Sequence, residues 1–130
     1  MANPNKRKGD AAERAVRDFL SLYHPTKKTR AGFEDDLGDV LADTPAGRLV
    51  VQVKDVASPK WKEWYTQLGN QVQVCTDHTE NIPVLGGVIV HKYRGHANPE
   101  NWHAVTQLGS FMELIRGAYE AGYEDGLRTD

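Results

Sequence analysis

Cysteine is almost missing from this chain. Cys75 stands alone, so no internal disulfide can form and no cysteine pair exists to hold zinc. By itself it reads as a small apolar residue of the interior. Long hydrophobic runs are missing too: nothing approaches membrane-spanning length, and Met1-Ala-Asn-Pro-Asn-Lys-Arg-Lys8 lacks the apolar segment of a secretory signal. A soluble cytoplasmic protein with no membrane partner is expected. There is no glycine-rich phosphate loop and no internal repeat, and no small-molecule substrate is expected. The five histidines, at 24, 78, 91, 96 and 103, show neither metal-ligand spacing nor an adjacent nucleophile, which sets aside a histidine metal site and a hydrolase triad.

What is present is enough to fold. Apolar residues make up 39% of the chain and the aromatics are spread along it, so 130 residues read as one domain with a real core. The net charge of −2 hides an asymmetry, because the basic groups lie toward the front. They cluster as Lys6-Arg7-Lys8, as Lys27-Lys28 with Arg30, and as Lys60 with Lys62. This is either a solvated surface or the footprint of a polyanion.

Residues 1–9 read as a mobile basic arm, since Pro4, Gly9 and the polar residues between them leave nothing to bury. A helix then opens at Asp10, with Ala12, Ala15, Val16, Phe19, Leu20 and Tyr23 at helical spacing, and ends at His24-Pro25. Glu13 either completes an Asp-x-x-Glu capping box with Asp10 or faces the strands that follow. Thr26 to Phe33 suits a short strand and Glu34-Asp35-Asp36 a charged loop, any of whose carboxylates could serve a metal if the next element is misplaced.

That next element is the centre of the reading. Val40 to Ala42 and Leu49 to Val53 flank Asp43, Thr44, Pro45 and Gly47, the pattern of a β-hairpin with a longer loop. With Ala42 opposite Leu49, Asp39 falls opposite Gln52, and alternation puts Gln52 and Lys54 on the face Asp39 shares. A carboxylate, an amide oxygen and an ammonium are costly near an apolar hairpin without a task. Oxygen ligands suit a hard cation such as magnesium, and an ammonium suits a water nucleophile or a phosphate oxygen. Asp55, the next residue, alternates to the other face and reads as a surface group.

Beyond Ser58-Pro59, the residues Trp61, Trp64, Tyr65, Leu68, Val72 and Cys75 share one helical face. Trp61 and Trp64 belong to the core or to a subunit contact, the alternative being stacking on exposed bases. Gln67, Gln71 and Gln73 read as solvated helix positions. Pro83 to Tyr93 is a central strand, Arg94 to Asn101 a polar turn, and Trp102 to Leu108 another strand. Ser110 and Glu113 cap a last helix that buries Phe111, Leu114, Ile115, Ala118 and Tyr119, and residues 122–130 form a frayed tail.

A helix bearing Glu, a strand, an Asp at a strand start, a hairpin, Gln-x-Lys, then helix, strand, strand and helix: this order resembles the PD-(D/E)XK nuclease superfamily, and within it the Holliday junction resolvases of archaea and bacteriophages. The resemblance is carried by Gly9-Asp-Ala-Ala-Glu13-Arg14, Asp39 and Val51-Gln52-Val53-Lys54, with Trp102-His-Ala-Val-Thr106 and Phe111-Met-Glu-Leu-Ile115 behind them, and spans residues 9–116. It implies an α/β, restriction-endonuclease-like core, a central mixed sheet flanked by helices, in a nuclease domain at residues 10–121. It also implies phosphodiester hydrolysis assisted by magnesium, or manganese in its place. Asp39, the Gln52 side-chain oxygen and the Val53 carbonyl would be ligands, Glu13 would complete the set, and Lys54 would serve the attacking water and the phosphate. Lys6, Arg7, Lys8, Lys27, Lys28, Arg30, Lys60 and Lys62 would hold the backbone of branched, four-way DNA.

Two symmetry-related cuts would suit a homodimer, and the Trp61/Trp64 face, if more apolar than one core can cover, is a candidate interface. The resolvases usually carry Glu where this chain has Gln52, while some restriction endonucleases of the superfamily have glutamine there. A restriction or repair endonuclease, or a DNA-binding module without catalysis, is the rival reading.

Overall fold

Val40-Leu41-Ala42 and Leu49-Val50-Val51 are apolar at every position, and a strand sends successive side chains to opposite faces, so both runs need cover on both sides. Helices supply it. The structure, a computed structural model, describes residues 4–29, 38–79 and 81–128. In chain order it has α1 (Pro4–Leu20), β1 (Thr26–Lys28), β2 (Val40–Thr44), β3 (Gly47–Lys54), α2 (Trp61–His78), β4 (Val84–His91), a 3-10 turn (Pro99–Asn101), β5 (His103–Val105) and α3 (Leu108–Arg128). The chain is α/β: a five-stranded sheet in the order β1-β2-β3-β4-β5, parallel only between β3 and β4 and so mixed, with helices against it. Among the described residues no helix is long and apolar enough to cross a membrane.

The middle strand β3 divides the core. Val51 and Val53 join Val40 and Trp102 against Ala12 and Val16 of α1, while Val50 joins Leu41 and Ile89 against Trp64, Leu68 and Cys75 of α2. The hairpin has the expected register, Ala42 opposite Leu49, and the hydrogen bond from the Asp39 N–H to the Val51 carbonyl (3.0 Å) extends the ladder beyond β2. At the turn, the Thr44 hydroxyl accepts from the N–H groups of Ala46 and Gly47.

Across the hairpin, Arg48 grips Asp43 at 2.6 and 3.0 Å. This guanidinium, through its hydrogen bonds, holds the Asp43 carboxyl below its ordinary value of 3.8. A carboxyl depressed in the folded chain adds stability above the unfolded value, and that stability drains away as pH falls through the lower folded value. Asp43→Asn should therefore melt below wild type at neutral pH by the equivalent of about 1 kcal/mol or less, the pair being partly exposed. The gap should close as pH drops below 3.8, followed by thermal melts monitored by circular dichroism across the acid range.

Several expectations need correction. The first helix begins at Pro4, so residues 4–9 are helical and Lys6, Arg7 and Lys8 project from α1. Proline suits a first turn, where it has no N–H to leave unpaired. The roughly 1 kcal/mol cost of Gly9 inside the helix is offset by the docking of Ala12 and Val16. Asp10 is thus no cap, and Glu13 completes no capping box. β1 ends at Lys28, well short of Phe33; Arg30, Glu34, Asp35 and Asp36 lie outside the described residues. β4 is interior, but β3 holds the middle of the sheet.

The last helix starts before Ser110, since the Phe111 N–H already bonds the Gln107 carbonyl (2.9 Å), and it runs past Gly122 to Arg128 without fraying there. Its buried side is also different. Leu114, Gly117 and Ala121 are half-buried toward β4, where Leu114 lies over Gly86, while Phe111, Ile115 and Tyr119 are exposed.

Candidate active site

Asp39 stands just before β2, and its backbone is clamped on both sides. The Thr29 N–H donates to its carbonyl (3.0 Å), while its own N–H donates to Val51. Gly38 makes the approach possible: at φ +95°, with a built Cβ only 2.8 Å from Val50 Cγ1, no larger residue fits there. The Asp39 carboxylate then turns onto β3, where Oδ2 accepts the Val53 N–H at 2.8 Å. Its charge is therefore set beside the backbone of Gln52 and Val53.

Gln52 is 1% exposed and faces α2. Its Nε2 donates to Gln71 Oε1 at 3.2 Å and lies 3.5 Å from Gln67 Oε1. With the nitrogen so engaged, Oε1 is buried and has no hydrogen-bond partner among the described residues. Lys54, two residues on and on the same face, sets its ammonium 5.4 Å from the Trp64 ring centroid and 3.5 Å from Gln67 Oε1. The indole face and the amide oxygen restrict the ammonium without neutralising it. Trp64 in turn is buried, held edge-on by Trp61 and His91, so of the two places expected for it, core or subunit contact, it takes the core.

Gln71, expected to be solvated, is buried beside Gln52, while Gln67 is exposed as expected and still reaches Gln52 and Lys54. The signal for Gln71 was there: 64, 68, 71 and 75 lie on one helical stripe, so an amide stands at a core position. Asp55 corrects a second expectation. Its side chain is only 6% exposed, lying between Lys8 (3.4 Å) and Lys92 (3.6 Å), because alternation turns it toward α1 rather than to solvent.

Glu13 is tied down differently. Its Oε2 is 3.2 Å from the Lys28 ammonium, which also meets Asp10 at 3.5 Å. Lys28 pairs with Val40, which packs against Ala12 and Val16 of α1, so this cluster lies on the α1 side of the sheet, across from the face that carries Gln52 and Lys54, and Glu13 is not brought to them. Of the basic residues expected to bind DNA, Lys28 and Lys8 are thus spent on carboxylates, while Lys6, Arg7, Lys27, Lys60 and Lys62 are exposed. Lys60, Trp61, Lys62, Glu63, Thr66 and Gln67 line a shallow, open depression at the start of α2, and Gln67 also touches Lys54.

The donors fit a hard divalent cation. A buried amide oxygen with no partner is costly, and a cation beside it would relieve that cost. Among the described residues no three His, Cys, Asp or Glu side chains gather, so such an ion would rest on one carboxylate and neutral oxygens at Asp39, Gln52 and Val53.

Fold and site together define an α/β protein with a polar cluster on the hairpin of its mixed sheet. Comparison of the chain with protein-family models, with curated proteins and with solved structures finds no match.

Proposed function

We propose that the chain is a metal-dependent endonuclease with a PD-(D/E)XK, restriction-endonuclease-like core, and that it resolves four-way DNA junctions. The observation that carries the reading is the buried Gln52 Oε1, without a hydrogen-bond partner among the described residues, on a strand whose next residues are Val53, bonded by Asp39, and Lys54. Asp39, Gln52 Oε1 and the Val53 carbonyl would hold magnesium or manganese, with Glu13 left to its pairing with Lys28 on the α1 side of the sheet. A cation held by these residues would supply Lewis-acid polarisation of a phosphate and a lowered pKa for water. The neutral Gln52 makes the site one charge poorer than a glutamate would, so weaker metal binding is expected.

The chain's own groups do the rest. Lys54, held over Trp64 and against Gln67, points one cation at the phosphate and at the water that attacks it, and steadies the charge that builds on the phosphoryl oxygens. Lys60 and Lys62 at the start of α2, with Lys6, Arg7 and Lys27, take the DNA backbone, which reads shape rather than base sequence. Two strands cut symmetrically call for two copies of the site.

Gln67 is a positioning residue in this scheme. Gln67→Ala should leave the fold intact and lower the single-turnover cleavage rate about ten- to a hundredfold, the scale of a misplaced catalytic group, with junction affinity unchanged in a gel-shift assay. The scheme as a whole is tested with an end-labelled four-way junction and a matching linear duplex, with and without magnesium, beside Asp39→Asn. Paired, metal-dependent nicks in the junction alone support it. Equal cutting of duplex points to a general nuclease of the same fold, and binding without cutting under several divalent metals points to a recognition module that has lost catalysis.

A further inference from the structure

α3 turns only a narrow row toward the sheet, yet it is apolar well beyond that row. Leu108, Phe111, Met112, Ile115, Tyr119 and Tyr123 are between 48% and 77% exposed. At 3.6 residues per turn they occupy a single arc adjoining the row of Leu114, Gly117 and Ala121. Leu108 and Tyr119, like Met112 and Tyr123, are eleven residues apart, a spacing that keeps the stripe straight along the helix. Isolated exposed apolar residues are ordinary, but six large ones side by side on one arc of one helix form a contiguous patch of the kind that marks an interaction surface.

We infer that this face is covered by the same face of a second copy, in an antiparallel two-fold pair centred near Ile115. Reversing the stripe upon itself sets Leu108 and Met112 of each copy against Tyr123 and Tyr119 of the other, aliphatic against aromatic, so the face is its own complement. Its polar border behaves the same way. Glu113 and Arg116, 3.5 Å apart within one helix, carry both signs on the flank that a two-fold axis brings against itself, so Arg116 of each copy meets Glu113 of the other. A foreign partner would require neither property. The pair supplies the two sites that symmetric cutting calls for, and in that role it rests on the nuclease reading; the association itself rests on the face alone.

Sedimentation equilibrium of the full chain without DNA or metal tests it. Wild type is expected at twice the chain mass of 14.5 kDa. Ile115→Glu, which alters a side chain already exposed in the single copy, should raise the dissociation constant at least about a hundredfold while the circular dichroism spectrum stays unchanged. If that variant misfolds, charge reversal decides: Arg116→Glu should weaken the pair, and Glu113→Arg with Arg116→Glu should restore it. A wild type that is monomeric at high micromolar concentration overturns the inference, as does a dimer indifferent to both kinds of substitution. Loss of junction cleavage with the dimer intact would instead count against the nuclease reading.

Discussion

Asp39→Asn should fold as wild type does and lose metal-dependent strand cleavage by about a thousandfold or more, the scale on which removing a charge-stabilising group acts. The size of the effect follows from the donor set. Gln52 and the Val53 carbonyl are neutral, and Glu13 is paired with Lys28, so Asp39 brings the negative charge of the hairpin itself to a bound cation. Asparagine keeps an oxygen for the Val53 N–H, so the β2–β3 junction should survive. Alanine would strip that amide of the 2.8 Å bond and add about 1–3 kcal/mol of lost stability to the result. Two readouts separate the effects: single-turnover cleavage of a junction, and the rise in melting temperature on adding magnesium, which Asp39→Asn should abolish while leaving the metal-free melt in place.

The second large effect is structural. Gly47→Ala should cost about 3 kcal/mol or more, a fall on the order of 10 °C in melting temperature for a domain of this size. Gly47 has φ +146°, and a Cβ there would lie 2.6 Å from the Pro83 carbonyl oxygen. That oxygen is backbone and cannot swing aside. It also accepts the Arg48 N–H at 2.7 Å, the bond that ties the hairpin to the chain entering β4. Gly69→Ala is the matching control: it lies inside α2 with nothing within 4 Å of its Cβ, and should raise stability by a few tenths to about 1 kcal/mol. Urea denaturation of the three proteins gives the comparison directly.

The hairpin register was legible in the sequence because two apolar runs flank a turn that only small and polar residues can make, and a one-residue slip would have exposed every valine of β3. α2 was legible for the same kind of reason, a stripe with one clear face. The start of α1 was not: Pro4 and Gly9 look like breakers, and what holds that turn, the Lys8–Asp55 pair and the packing of Ala12, is a contact with distant chain. Nor could the pattern say which side of α3 meets the sheet, because its apolar residues cover more of the helix than one packing surface needs. The role of Gln71 was concealed by its residue type, since an amide in a core position finds its reason only when Gln52 arrives opposite it.

Asp39, Gln52, Val53 and Lys54 all belong to one hairpin, so their mutual spacing is set by backbone hydrogen bonds between adjacent strands and not by how remote elements pack. This makes the site unevenly sensitive to length variation. Added or deleted residues in the connections around Ser58-Pro59 or between Tyr93 and Asn98 leave its internal distances alone and cost little closure entropy. A single residue gained or lost between Thr44 and Gly47 would shift the pairing, turn Gln52 and Lys54 to the α1 side and part them from Asp39 and the glutamines of α2. The four residues of that turn act as the ruler of the site, so this chain tolerates added length elsewhere far better than it does there.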